Sequence, residues 1–320
     1  MYKISVLIPT FKRTNELLYN LNLLEGILTK LSLLSDVLVL ICFDGSSKEH
    51  IKAVTDCLEQ SNLKYKILIN KSNLGLEKTE LLLISSAESE YAMLLGEDDY
   101  LNAELFELEF NYICENKNIG AIIPNYFGID ENKRQIRSPK RRIEKDKIYK
   151  SGSLSELYKA NQMSGLVFKC SGVVDAYYKL VKKETVYPHL FFIGFNMLRL
   201  DTVEITRYPF KNTYIKTKSF AYTADGLLDE ILRIYLCFDI DLDSKYSAIK
   251  YFLKKDKRRY CNQHTWLHPK KFKQNVNNNY SGILLNVKKL VIKNFNLSYL
   301  LMPLFIFSHF CVRIFKGKQR

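Results

Sequence analysis

The chain has 320 residues, 47% hydrophobic and 26% charged, ordinary proportions for a folded protein with a sizeable core. Its 13 glycines and 7 prolines exclude collagen-like and low-complexity organisation. Seven scattered cysteines with no C-x-x-C spacing argue against a disulfide framework or a cysteine zinc site, and for reduced thiols in cytosol. The net charge of +14 is local: Lys254 to Arg320 hold fifteen Lys or Arg and one acid, Asp256, so residues 1–253 are neutral. A neutral body with a basic tail seeks a polyanion, either an anionic membrane surface or a nucleic acid. The apolar opening, soon broken at Pro9, is too short for a secretory signal, and secretion is not expected.

Residues 3–9 form a short apolar run, the pattern of a buried strand. Thr14 is placed to cap a helix whose Leu17, Leu18, Leu21, Leu24 and Ile27 follow helical spacing. A second β-rich run, Val37 to Phe43, stops at Asp44-Gly-Ser-Ser47, a turn that also suits a helix cap. Tyr65 to Ile69 reads as a third strand, followed by a loop with Asn73 and Gly75 and a helix over 76–87. Tyr91 to Leu95 reads as a fourth strand, 102–115 as a helix, and Gly120 to Pro124 as a further strand. This alternation predicts an α/β fold with a mostly parallel sheet covered by helices on both faces. Residues 129–150 are polar and contain Arg137, Lys140, Arg141 and Arg142, which suits a mobile loop, either solvated or a lid that touches phosphate. From 153 to 253 the pattern is mixed, with no internal repeat.

Ligands of such sheets bind outside the carboxyl ends of the strands. Thr10 to Arg13, Asp44, Asn73 and Glu97-Asp98-Asp99 all fall at those ends, so topology alone predicts that they surround one crevice. Three adjacent carboxylates repel unless a cation neutralises them, and hard oxygen ligands suit Mg²⁺ or Mn²⁺ shared with a diphosphate. The other reading of the triplet is a solvated acidic turn at a helix N-terminus.

The series Ser5-Val-Leu-Ile-Pro-Thr-Phe-Lys-Arg13, Phe43-Asp-Gly-Ser-Ser47, Asn73-Leu-Gly75 and Leu95-Gly-Glu-Asp-Asp-Tyr-Leu101 resembles the family 2 glycosyltransferases of the GT-A fold in order and spacing over residues 3–125. Gln162 to Phe168 and Tyr187-Pro-His-Leu190 are similar to the abequosyltransferase-like branch, which builds bacterial surface polysaccharide. The resemblance implies a catalytic domain over 1–253, with a nucleotide-binding half at 1–125 and an acceptor half at 126–253; the charge pattern adds a basic membrane-associating region at 254–320. It implies inverting transfer of a sugar from a nucleotide diphosphate sugar, with UDP favoured, to a hydroxyl of a glycan or lipid-linked glycan acceptor. Thr10, Phe11 and Arg13 would border the nucleotide, Asp44 would accept from the base, and Asn73, Gly75 and Lys78 would lie beside base and phosphates. Gly75 equally suits a simple helix-start turn, and Lys78 stands where the family more often has arginine. Asp99 would bind the metal, Asp98 would support it, and Glu97 would approach the ribose.

An inverting displacement also needs a base for the acceptor hydroxyl. The Glu-Asp pair common in the family is missing between 160 and 230. His189 stands in the matching neighbourhood, and histidine titrates near neutrality. It is the candidate base, with acceptor positioning or helix capping as the alternative, and with Asp175 and Glu184 in reserve. His264 and His268 have i, i+4 spacing but no acidic partner, so no zinc site is expected there. P-loop, dinucleotide and serine-hydrolase signatures are absent.

Residues 294–312 carry no formal charge and lie between Lys293 and Arg313. Polar residues and Pro303 spoil a clean membrane span, so the segment reads as an interfacial helix on an anionic leaflet or as a helix packed on the body. Three functions therefore compete. The first is a metal-dependent glycosyltransferase, peripheral at the cytoplasmic face of a bacterial inner membrane and binding no nucleic acid. The second is a basic-tailed nucleic-acid-binding protein, and the third is a glycosyltransferase-like pseudoenzyme.

Overall fold

The computed structural model describes residues 2–130, 134–135, 139, 141–213 and 224–255. Residues 1–222 and 227–252 form one compact unit; a second unit, 223–226 and 253–320, lies almost wholly outside the described residues. The readings of 294–312, His264 and His268 fall there too.

Among the described residues eight strands build one sheet: β1 (Tyr2–Thr10), β2 (Val37–Asp44), β3 (Tyr65–Asn70), β4 (Ser89–Leu94), β5 (Ile119–Ile129), β6 (Lys147–Tyr149), β7 (Val167–Lys169) and β8 (Asp201–Thr213). The helices are α1 (Thr14–Lys30), α2 (Lys48–Glu59), α3 (Leu76–Ser85), α4 (Ala103–Glu115), α5 (Val173–Leu180), α6 (Pro188–Arg199), α7 (Ala224–Cys237) and α8 (Leu242–Lys255). The spatial order is β3-β2-β1-β4-β7-β5-β8-β6. The first four strands run parallel to one another and β5 pairs in parallel with β8, while β7 lies antiparallel between β4 and β5 and β6 pairs antiparallel with β8 at the edge. The expected parallel α/β sheet is therefore present. Sequence pattern did not reveal β7, because three residues are too few to show a period.

Side chains alternate across a strand, which explains why the central strands are apolar throughout. Ile4, Val6 and Ile8 of β1 and Val37, Val39, Ile41 and Phe43 of β2 share a core with Leu17, Leu21, Leu24, Ile27 and Leu28 of α1 and Val54 and Leu58 of α2. On the other face Leu7, Leu38, Leu40 and Cys42 are buried as well, where α3 packs on β1 and β2. Helix α1 has no side-chain cap. Thr14 is its first residue rather than its cap, and its hydroxyl bonds His50 instead. Losing a cap costs about 1 kcal/mol, whereas each buried leucine contributes about 1.5–3 kcal/mol, so packing outweighs capping here. Helix α2 is capped by Ser47, as the turn chemistry predicts, and α4 by Asn102.

From residue 141 onward the chain is tied to the sheet, and Lys147–Tyr149 form β6. Arg141 Nε lies 2.9 Å from Glu204 Oε1, and its guanidinium also donates to the Pro124 and Lys159 carbonyls. Lys159 Nζ and Tyr149 Oη reach the other oxygen of Glu204 at 2.6 and 2.5 Å. Burial lowers the Arg141 pKa, and the Glu204 carboxylate opposes that shift. Arg137 and Lys140 lie outside the described residues, and Arg142 is exposed.

Two predictions follow from buried charge. Breaking one partner of a buried ion pair costs about 3–5 kcal/mol, so Glu204→Gln should lower the urea midpoint strongly, while Glu144→Gln on the exposed surface should not. Equal effects would show that the network contributes nothing special. Glu109 on α4 is fully buried, and neither carboxylate oxygen has a hydrogen-bond partner among the described residues. Burial holds its pKa well above the usual value. The folded chain thus keeps a proton that the unfolded chain releases above about pH 4.3, and this group's contribution to stability falls as pH rises from there towards the folded pKa. Glu109→Gln, which mimics the protonated form, should match the wild type in melting temperature near pH 4 and exceed it increasingly towards pH 8. A gap that does not change with pH would refute this.

Candidate active site at the carboxyl edge of the sheet

Parallel register brings the strand ends level. Thr10 lies beside Phe43, Asp44 beside Asn70, and Leu7 beside Leu94. The segments that follow these strands therefore emerge along one edge, and side-chain bonds join them there.

Asp44 organises the first corner. Its Oδ1 accepts from Asn70 Nδ2 at 2.9 Å and from the Leu74 amide at 2.7 Å, and its Oδ2 accepts from the Gly75 amide at 2.9 Å. Asn73 Oδ1 takes a second bond from the Gly75 amide at 3.0 Å. A side chain on Gly45 would meet the Asn73 backbone nitrogen at 2.4 Å, so only glycine lets the two loops touch. Gly75 itself adopts a φ of +87°, the turn that starts α3. Lys78, exposed in the first turn of α3, pairs with Glu184 at 2.9 Å.

The acid triplet forms the second corner. Thr10 Oγ1 donates to Glu97 Oε2 at 2.6 Å, and the Phe11 amide donates to the same oxygen at 3.2 Å. Arg13 Nη1 lies 2.5 Å from Asp98 Oδ2 and 3.8 Å from Glu97 Oε1. The repulsion expected among three acids is thus partly neutralised by the chain's own arginine. Burial raises the Glu97 pKa above its usual value, against the opposing pull of the Thr10 and Phe11 bonds and of Arg13. Asp99 Oδ2 accepts from Ser164 Oγ at 2.6 Å, and Ser164 Oγ accepts from the Gly96 amide at 3.0 Å. Asn20, buried on the inner face of α1, donates to the Gly96 and Asp99 carbonyls at 3.1 and 2.8 Å. A Cβ on Gly96 would lie 3.0 Å from Ser164 Oγ, 3.2 Å from Asp99 Oδ2 and 3.6 Å from Asp98 Oδ1. Three hard oxygens therefore converge over a residue without a side chain, a donor set that fits Mg²⁺ or Mn²⁺ if further oxygens complete it. Among the described residues no three His, Cys, Asp or Glu side chains form a metal cage by themselves.

His189 is the second residue of α6, 3% exposed, and makes an edge-to-face contact with Tyr187 at 5.7 Å. The turn before it is fastened to α3, where Thr185 N donates to Glu77 Oε2 at 3.1 Å. It is also fastened to α7, where Val186 N donates to Glu230 Oε2 at 2.7 Å. Because α3 begins just after Leu74 and Gly75, whose amides bond Asp44, the Thr185–Glu77 bond links the His189 turn to the Asp44 corner. Asp175 is an exposed charge in the first turn of α5, and Glu184 is exposed and paired with Lys78.

Sequence reading missed four residues that shape this edge: Asn20, His50, Ser164 and Glu230. Asn20 was legible as a polar residue on the apolar stripe of α1, and His50 as the residue three beyond the Ser47 cap. Ser164 lies inside the 162–168 motif, which named no role for it, and nothing local marked Glu230, whose partner is distant in sequence.

The sequence model of Glycosyl transferase family 2 matches residues 5–180. No curated protein matches the sequence. Among solved structures the chain is similar to S. aureus TarS 1-349 in complex with UDP-GlcNAc, at 15% identity and a TM-score of 0.63, covering 82% of this chain and 75% of that one. The UDP complex of the same protein gives 16% identity and a TM-score of 0.61 over the same shares. The mannosyltransferase PcManGT from Pyrobaculum calidifontis, in complex with GDP-Man and Mn²⁺, gives 11% identity and a TM-score of 0.53, covering 91% of this chain and 81% of that one. Such identities speak for the fold, which is of the GT-A type. The family match spans more than half of the chain and contains the Asp44 loop and the acid triplet, and the chain belongs to glycosyl transferase family 2.

Proposed function

We propose that the chain is a divalent-metal-dependent, inverting glycosyltransferase that uses a nucleotide diphosphate sugar, with UDP favoured. The observation that carries this reading is the convergence of Asp98, Asp99 and Ser164 oxygens over Gly96, beside Arg13 and the Asp44 loop. Solved relatives of the same fold hold UDP-GlcNAc in one case and GDP-Man with Mn²⁺ in another, which supports the donor class.

Asp44 has one oxygen, Oδ2, that takes a single bond from its own loop, and a carboxylate oxygen can accept two. It is the acceptor for an N–H of the base. Thr10, Phe11 and Arg13 border the nucleotide, Glu97 approaches the ribose, and Asn73, Gly75 and Lys78 lie beside base and phosphates. Asp99, supported by Asp98, would hold Mn²⁺ or Mg²⁺, which when bound supplies charge neutralisation for a departing nucleoside diphosphate. His189 takes the proton of the acceptor hydroxyl as that oxygen forms its bond to the anomeric carbon and the bond to diphosphate breaks on the opposite face.

The acceptor is a hydroxyl of a lipid-linked or surface glycan in bacterial polysaccharide synthesis, in keeping with the abequosyltransferase-like motifs at 162–168 and 187–190. The basic region 254–320, with the uncharged stretch 294–312, brings the enzyme to the anionic cytoplasmic face of the inner membrane as a peripheral protein. Among the described residues no helix is long and apolar enough to cross a membrane.

A thermal-shift screen of UDP-, GDP-, CDP- and dTDP-sugars with and without Mn²⁺ tests the donor class. No shift with any of them would overturn the reading. Asp99→Asn should abolish Mn²⁺-dependent donor binding and leave the ligand-free melting temperature near that of the wild type; wild-type turnover at limiting Mn²⁺ would refute the metal assignment. His189→Ala should lower turnover by about a hundredfold with donor affinity unchanged, the scale of general-base catalysis. An equal fall in donor affinity would make His189 a donor-site or structural residue.

A further inference from the structure

Behind the acid triplet runs a buried chain of hydrogen bonds that ends on Glu97. His50, 4% exposed on α2, lies with Nε2 2.9 Å from Thr10 Oγ1 and Nδ1 2.7 Å from Thr14 Oγ1. Its backbone is held by the Ser47 cap and its ring by an edge-to-face contact with Phe43 at 5.3 Å. Thr10, 2% exposed, stands between His50 and Glu97.

Proton counting gives the direction of each bond. A threonine hydroxyl has one hydrogen, and the hydroxyl of Thr10 donates it to Glu97 Oε2 at 2.6 Å. That oxygen also accepts from the Phe11 amide, and an ionised Glu97 carboxylate is acceptor-only, with no hydrogen to return to Thr10. Thr10 Oγ1 can then only accept from His50, which places a hydrogen on Nε2. Burial lowers the His50 pKa and favours the neutral ring. A neutral ring protonated at Nε2 has a bare Nδ1, and Thr14 donates to it. The order is Thr14 to His50, His50 to Thr10, Thr10 to Glu97. In the opposite tautomer Nε2 would take the Thr10 hydrogen and Glu97 would lose its shortest bond.

We propose that His50 is a positioning residue of the donor site, acting through the Thr10 hydroxyl to hold the Glu97 carboxylate at the crevice. Resting on the glycosyltransferase reading above, it assigns a role to a histidine that never meets substrate. Glu97 in turn keeps Oε1 turned towards Arg13, the cation shared with Asp98. The placement of Glu97 therefore depends on which nitrogen of a buried imidazole carries the proton.

The test compares wild type with His50→Phe, His50→Gln and Thr10→Val for binding of UDP and of GDP, each with Mn²⁺, and for melting temperature without ligand. Glutamine reproduces the Nε2–H donor, whereas phenylalanine keeps only bulk. His50→Phe and Thr10→Val should each weaken nucleotide binding by about tenfold or more, the scale of one charge-assisted hydrogen bond, and the double variant should be no worse than either. His50→Gln should stay within about threefold of wild type, on the same scale. Unchanged affinity in His50→Phe, or loss of melting temperature alone, would overturn the proposal. Nitrogen NMR of the ring-labelled wild type reads the tautomer without any variant having to fold, and a hydrogen on Nδ1 would overturn it equally. Failure of the wild type to bind either nucleotide would instead sink the glycosyltransferase reading itself.

Discussion

Burial of β1, β2 and β4 on both faces constrains everything else in this molecule. A strand packed between two helical layers has no lateral position for a polar side chain, so polar residues collect where each strand ends. Ser5 is an exception that supports the argument: it is buried, but its hydroxyl receives a bond from Ser89 on the neighbouring strand. Level parallel register then converts three strand ends, distant in sequence, into one edge. No binding energy from a ligand is needed to assemble that edge, because apolar packing has already done so.

At the edge, charge is managed by short local bonds. Asp44 is satisfied by amides of the loop it faces, Asp98 by Arg13, Glu97 by Thr10 and the Phe11 amide, and Asp99 by Ser164. Unpaired carboxylates at this depth would cost more than packing supplies nearby. The same bonds fix directions, so the oxygens of Asp98 and Asp99 meet over Gly96 before any ligand arrives. Preorganisation of this kind is what a site for a charged leaving group requires.

The second half of the sheet solves a different problem. Strand β8, between β5 and β6, carries the buried Glu204, and its ion pairs with Arg141 and Lys159 tie residues outside the strands to the sheet. Meanwhile the turn at 184–187 is clamped by Glu77 and Glu230 from two separate helices. The residue proposed as base thus sits at the start of a helix whose position is set by carboxylates far away in sequence.

The sequence by itself determined the alternation of strands and helices over residues 3–125, the side of the sheet on which Thr10, Asp44 and Glu97 to Asp99 gather, and the Ser47 cap. Those features depend on period and on turn chemistry, which act over a few residues. Only the tertiary structure decided that Thr14 serves His50 rather than a helix end, that Arg141 belongs to Glu204, and that β7 slips antiparallel between β4 and β5. It alone also brought Ser164 to Asp99, 65 residues apart, and Glu230 to Val186, 44 residues apart. Such pairings follow from where packed elements come to rest, and no local pattern of residue types encodes that.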